Sequence, residues 1–166
     1  MQILYISAEP IRPGHAAATH VNEIARGLER AGHKVAVCAA RHGYAYERGG
    51  ILGRVAGYLS FWFRALWALR QSDVVYARAH FANFPVAGGA CLLGRPVIHE
   101  INGTHNDVAV THAWLRPFLG FIKLLYTVQY RHADALVAVT PGLANWAREH
   151  APHVALEVID YSRGDI

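Results

Sequence analysis

The sequence predicts an α/β protein, a doubly wound and mostly parallel sheet in a single domain, and three observations carry that prediction. Short apolar runs rich in β-formers alternate with helical patterns from one end of the chain to the other. Residues 1–39 read as strand, loop, helix and strand within one crossover, which makes the two strands parallel neighbours. Polar and titratable residues gather in the stretches just after the strands, the edge where open α/β sheets bind ligands.

Gln2 to Ser7 is an apolar run and the first strand, and a loop with Pro10, Pro13 and Gly14 leaves it. Val21, Ile24, Ala25 and Leu28 recur at helical spacing, with Asn22, Glu23, Arg26, Glu29 and Arg30 on the other face. Gly32 ends that helix, and Lys34 to Ala39 is the second strand. Residues 41–50 form a loop, and Ile51 to Arg70 is a helix whose polar positions Arg54, Gly57, Ser60 and Arg64 make one narrow stripe. Such a helix is about 30 Å long, but each mid-segment arginine costs roughly 2.5–3.5 kcal/mol at a bilayer centre, which argues against a span. Two readings fit it: a helix covering the sheet, or one whose aromatic residues dip into a membrane surface, with Trp62, Arg64 and Trp67 as the contact candidates.

Asp73 to Ala77 is the third strand, and a helix from Pro85 to Leu93 comes next. Pro96 to Ile101 is the fourth strand, and residues 102–107 form a polar loop. A second apolar helix runs from Pro117, in its first turn, to His132. Ala135 to Val139 is the fifth strand. Thr140 then caps a helix that carries Pro141 at its first position and ends near His150. Leu156 to Ile159 is a candidate last strand, giving five or six in all.

Composition narrows the classes. A chain of 166 residues, 53% hydrophobic and 17% charged, builds one well-buried domain and is not disordered. A net charge of +4 favours anionic partners such as sugar nucleotides or acidic lipid. The basic residues are scattered and not grouped in one stripe, so nucleic acid is not an expected partner. Cys38 and Cys91 read as buried free thiols of a cytoplasmic protein, and no signal peptide is visible. There is no HExxH and no paired-cysteine spacing, so no metal is expected. The first loop lacks GxGxxG, which disfavours dinucleotide binding of the dehydrogenase kind.

The residues at the carboxyl end of each strand nominate the site. Glu9, Gly14 and His15 come after the first, Arg41 and His42 after the second, and Arg78 and His80 after the third. Glu100, Asn102, Thr104, His105 and Asp107 belong to the fourth, and Thr140 to the fifth. Gly14 sits where backbone N–H groups and a helix dipole favour an anion. His20, on the first helical turn, either donates to a ligand or caps the helix half-buried. His105 and Asp107 are spaced to work as an oriented base, whereas turn formation by Asn102-Gly103 and Asn106-Asp107 accounts for the same residues without chemistry.

These residues also carry a resemblance. Gly14, His20-Val21, Glu23-Ile24-Ala25-Arg26, Leu28 and Gly32-His33-Lys34-Val35 resemble the N-terminal signature of retaining glycosyltransferases of family 4, which have the GT-B fold. Asp73 to His80, Gly94 to Val97 and Ala133 to Trp146 match further stretches of that family in the right order. The chain differs in having His15 where a second glycine is frequent and Asn102-Gly103 where many members have His-Gly. Glu149 and Glu157 have a Glu-x7-Glu spacing without the residues that surround the family's motif.

The resemblance implies a Rossmann-like domain that is the N-terminal, acceptor-side half of a GT-B transferase, with the C-terminal donor-binding domain absent from this chain. It implies sugar transfer from a nucleotide-sugar donor, a substrate and not a cofactor, to a glycan or lipid-linked glycan at the inner face of the cytoplasmic membrane. Gly14 would approach the donor phosphates, and Asn102 and His105 would face the reaction centre. His15, His20, Arg78, His80, Glu100, Thr104, Asp107 and Thr140 are the remaining candidate ligand contacts. Two alternatives stay open: a non-catalytic membrane-surface or partner-binding module, such as half of a split transferase, and a sugar-nucleotide epimerase domain.

Overall fold

The computed structural model describes residues 1–40, 50–111 and 113–159, so Arg41 and His42 lie outside the described residues. The strands are β1 (Gln2–Ser7), β2 (Lys34–Ala39), β3 (Val74–Arg78), β4 (Val97–Ile101), β5 (Ala135–Ala138) and β6 (Ala155–Val158). The described helices are α1 (Ala16–Arg30), α2 (Gly50–Ala68), α3 (Phe84–Leu92), α4 (His105–Thr111), α5 (Leu119–Arg131) and α6 (Pro141–His150). The six strands form one sheet in the order β2-β1-β3-β4-β5-β6, and every neighbouring pair is parallel. The doubly wound α/β fold expected from the sequence is the fold observed.

Strand order fixes the layers. The β1-to-β2 crossover steps one way along the sheet and every later crossover steps the other way. With right-handed crossovers, α1 therefore covers one face and the later helices cover the opposite one. Side-chain alternation agrees. Ile3, Tyr5 and Tyr76 pack with Val21, Ile24 and Leu28 of α1. Leu4, Ile6, Val75 and Ala77 point the other way, onto Phe61, Ala65 and Leu69 and onto Val86, Ala87 and Ala90 of α3. Ile101 and Leu136 continue that second layer beneath α5 and α6, with Tyr126, Tyr130 and Ala147. Each large apolar side chain buried there stabilises the fold by roughly 1.5–3 kcal/mol.

Helix ends reflect local chemistry. Gly32, at φ +86°, closes α1 with paired bonds from the Gly32 N–H to the Glu29 carbonyl (2.9 Å) and from the His33 N–H to the Leu28 carbonyl (3.1 Å). Thr140 caps α6 by accepting from the Leu143 N–H at 3.3 Å, and Pro141 fills the first helical position, as the sequence predicts.

Several boundaries differ. The polar stretch after β4 is a loop only to Thr104, because α4 begins at His105. Pro117 lies inside a 3-10 segment, Ala113–Phe118, that precedes α5. His20 falls in the second turn of α1 and not the first, because the helix already starts at Ala16. Cys38 is buried but Cys91 is exposed on α3. Partial desolvation and the nearby Asp134 carboxylate raise the Cys91 thiol pKa above its ordinary value.

Helix α2 departs most from expectation. Arg64, expected on the narrow polar stripe and as a membrane-contact candidate, turns inward and its Nη2 donates to the Ala39 carbonyl at 2.8 Å. Phe61 is fully buried, and the Trp62 indole N–H donates to the Ala82 carbonyl at 2.7 Å while its ring packs on the core. Leu52, Val55, Leu59, Phe63 and Trp67 are left exposed, so the apolar face looks outward.

Candidate functional site

The carboxyl ends of the strands carry two neighbouring polar groups, one around Glu100 and one around Arg78. By alternation, Tyr76 and Arg78 of β3 share the α1 face of the sheet with Ile98 and Glu100 of β4, and Arg78 is paired in register with Glu100. The Glu100 side chain is fully buried. A carboxylate removed from water needs donors, and among the described residues it has His20 Nε2 of α1 at 2.8 Å from Oε1 and the Tyr76 hydroxyl at 3.1 Å from Oε2. Facing a carboxylate, His20 Nε2 carries the hydrogen and donates it. The pair ties the second turn of α1 to the end of β4.

Arg78 joins the loops beside it. Its guanidinium lies 3.7 Å from the Glu9 carboxylate, in the stretch after β1. Nη1 reaches the Ala17 carbonyl at 3.5 Å, at the start of α1. With the Asn102 amide oriented to satisfy both groups, its oxygen accepts from Arg78 Nη2 at 2.7 Å and from Nε. The Arg78 carbonyl accepts from the buried Asn83 amide at 2.6 Å, which holds the strand end in place. One cation thus spans the ends of β1, β3 and β4, where an anionic or hydroxylated ligand would meet it.

The remaining candidates have separate settings. Pro13 and Gly14, at φ +82°, sit inside a turn closed by the His15 N–H on the Arg12 carbonyl at 3.1 Å, the pattern of a type II turn. A Cβ on Gly14 would meet nothing within 4 Å, so its φ and not crowding calls for glycine there. His15 is exposed at the N-cap position of α1 and its side chain makes no cap bond. Asp107 accepts from the Thr104 N–H at 2.5 Å and from its hydroxyl at 3.3 Å, and the Asn106 N–H reaches Thr104 Oγ1 at 3.3 Å. These bonds are a helix-capping arrangement at the start of α4. His80 Nδ1 accepts from the Ala82 N–H at 3.1 Å, and its ring stacks on Phe81 at 4.4 Å. Thr140 caps α6.

His105 opens α4 with its ring 6.2 Å from Trp146, whose ring also stacks on His150 at 4.1 Å. Its Nδ1 is buried with no partner among the described residues. Desolvation lowers its pKa below the ordinary imidazole value, Lys123 and His150 add to that, and Asp107 opposes it. His105 is therefore set for the neutral form, which can accept a proton.

The structure thus brings His20 to Glu100 and Arg78 to Asn102, while His105, His80, Thr140 and the Thr104–Asp107 cap make the contacts given above. Tyr76 and Asn83 belong to the network, and neither is among the residues singled out by sequence. Period-two alternation through β3 could have found Tyr76, since it shares a strand face with Arg78. Among the described residues no three His, Cys, Asp or Glu side chains group as a metal site, and no helix is long and apolar enough to cross a membrane.

Known proteins agree with this architecture. No curated protein sequence matches the chain. Among solved structures, MurG of Acinetobacter baumannii aligns over 95% of this chain and 45% of its own, with 18% identity and a TM-score of 0.56. Anabaena HepE, solved with UDP-glucose, aligns over 96% and 43%, with 16% identity and a TM-score of 0.64. S. aureus MnaA, solved with UDP, aligns over 95% and 43%, with 12% identity and a TM-score of 0.60. At these identities the likeness is one of fold, and the chain spans less than half the length of each. Residues 17–160 match the family model described as Glycosyltransferase Family 4, a span that takes in every strand but β1. The chain belongs to Glycosyltransferase Family 4.

Proposed function

We propose that this chain is the acceptor-side half of a transferase that moves a sugar from a nucleotide-sugar donor, with retention of configuration, to a glycan or lipid-linked glycan. The observation that carries the reading is the Arg78 network at the carboxyl ends of β1, β3 and β4 in a chain of this family. Arg78 offers a fixed cation, Asn102 an amide, and the Pro13-Gly14 turn an open backbone beside the start of α1. His105 is the candidate for proton transfer at the acceptor hydroxyl. A second domain, bound to the donor nucleotide, would close over this edge, and the chain's share of its structural neighbours leaves room for one. The reaction itself would take place at the cytoplasmic face of a membrane and needs no metal in this half.

The test is sugar transfer by the native full-length protein purified from its source cell, over a panel of nucleotide sugars. The expected product has the anomeric configuration of the donor, read by NMR coupling constants. An inverted product would overturn retention, and binding of every donor without transfer to any acceptor would favour a non-catalytic module.

A further inference from the structure

His105 opens α4, and the groups that meet its ring come from other helices. Its ring centre lies 6.2 Å from that of Trp146 in α6. The Trp146 ring is itself held: it meets the ring of Tyr130 edge-on at 5.8 Å, and Tyr130, in α5, is fully buried. One turn further along α6, the His150 ring stacks on the same indole at 4.1 Å, and its Nδ1 faces the Trp146 carbonyl at 2.8 Å. A carbonyl only accepts, so this nitrogen carries the hydrogen and donates it. The His150 carbonyl in turn accepts from Arg131 Nε at 3.0 Å, which ties the end of α6 to the end of α5. The indole and the His150 ring are thus anchored at atoms outside α4.

This packing bears on the proton. An imidazolium carries two N–H donors, and each needs an acceptor or water. His105 Nδ1 is buried and has no partner among the described residues, so the charged ring would leave a buried donor unmatched. Burial is the largest cause that holds its pKa below the ordinary imidazole value. Charge adds to it from two sides: Lys123 of α5 and a proton on His150 of α6 both disfavour a further positive charge, and Asp107 of α4 opposes them.

We propose that Trp146 and His150 of α6 are positioning residues that keep the His105 imidazole fixed and neutral for proton transfer. Trp146 backs the ring and excludes water from it, and His150 steadies the indole and places a competing charge beside it. The inference rests on the reading of His105 as the group that takes the acceptor's hydroxyl proton, and both α6 residues act only through His105.

The test is an NMR titration of the native full-length protein carrying isotope-labelled histidine, with the His105 resonance assigned by its loss in His105→Gln. His150→Asn retains a donor for the Trp146 carbonyl but no charge, and in it His105 is expected to titrate at a higher pH than in the parent. Trp146→Leu opens the ring to water and is expected to shift the titration further in the same direction, because burial is the largest cause. Trp146→Phe keeps an aromatic wall and the packing on Tyr130, and a smaller upward shift is expected. In steady-state kinetics of the same proteins, the acid limb of kcat is expected to move up in pH together with the resonance, because the base must be unprotonated to act. A His105 titration unmoved by His150→Asn and by both Trp146 variants, in folded protein, overturns the proposal. A shifted titration with an unmoved acid limb, or unchanged kcat in His105→Gln, instead overturns the proton-transfer reading and leaves Trp146 and His150 with a structural role alone.

Discussion

Replacing Glu100 with leucine is expected to lower the unfolding free energy by about 3 kcal/mol and the melting temperature by about 6–12 °C. Glu100 is buried and anchors two donors from two different elements, His20 of α1 and Tyr76 of β3. Leucine removes the acceptor and leaves both donors facing an apolar side chain, and the loss of a buried charge partner is what makes such changes costly. Glu100→Gln retains the shape and one acceptor oxygen, so it should cost about half as much. The check is urea denaturation of both variants together with His20→Leu and the double variant. If the network acts as described, the double variant loses less than the sum of the two singles. A cost below about 1 kcal/mol for Glu100→Leu would show that the pair adds little.

The second large effect concerns His99, on the face of β4 opposite Glu100. It is fully buried, its ring meets the Tyr130 ring edge-on at 5.6 Å, and neither ring nitrogen has a partner among the described residues. Burial alone pushes its pKa down from 6.5 to about 4. Below pH 6.5 the unfolded chain binds a proton that the folded chain refuses, so stability falls as the pH drops from about 6.5 towards 4 and is unaffected above that window. By pH 4.5 this one residue should cost about 2.5 kcal/mol. His99→Leu fills the site without a titrating group, so its stability should fall less than that of the parent between pH 7.5 and 4.5, by about that amount. Identical pH dependence in the two proteins would rule out a buried neutral His99. The comparison cancels the carboxylates that both share.

How much of this was legible in the sequence depends on which interaction set each residue. A parallel, doubly wound sheet is legible from alternating strand and helix patterns, because a parallel neighbour requires a crossover and crossovers have a fixed hand. Caps were legible too: Thr140 with Pro141, and Gly32, act through bonds within a few residues of themselves. The start of α4 was not, because Asn102-Gly103 and Asn106-Asp107 read equally well as turns, and only the Thr104–Asp107 bonds decide that a helix begins there. Orientation of α2 was least legible. Its sequence is apolar nearly all round, so periodicity could not choose which side met the sheet, and Arg64 went inward because the Ala39 carbonyl at the end of β2 lay within its reach.

For the site, the sequence pointed to the correct edge and to most of its members, while their grouping required register. Arg78 and Glu100 are partners across β3 and β4 only because Val75 pairs with Val97, a register that no local motif specifies. His20 reaches Glu100 because α1 starts at Ala16, which puts His20 in its second turn, beside the end of β4. The same register separates His105 from the network, since the chain turns into α4 and carries its ring toward Trp146.

The central claim is that the Arg78 network is the substrate-facing edge of a sugar transferase, and steady-state kinetics of Arg78→Gln in the native full-length protein tests it most directly. With an accepted nucleotide sugar and acceptor, kcat/KM is expected to fall at least about tenfold while the thermal melt shifts by only a few degrees. Arg78 retains 13% exposure and contacts Glu9, Ala17 and Asn102, so some loss of stability is expected and the melt must be read beside the rate. Unchanged kcat/KM in a folded Arg78→Gln protein would contradict the account and place the reaction elsewhere on the molecule.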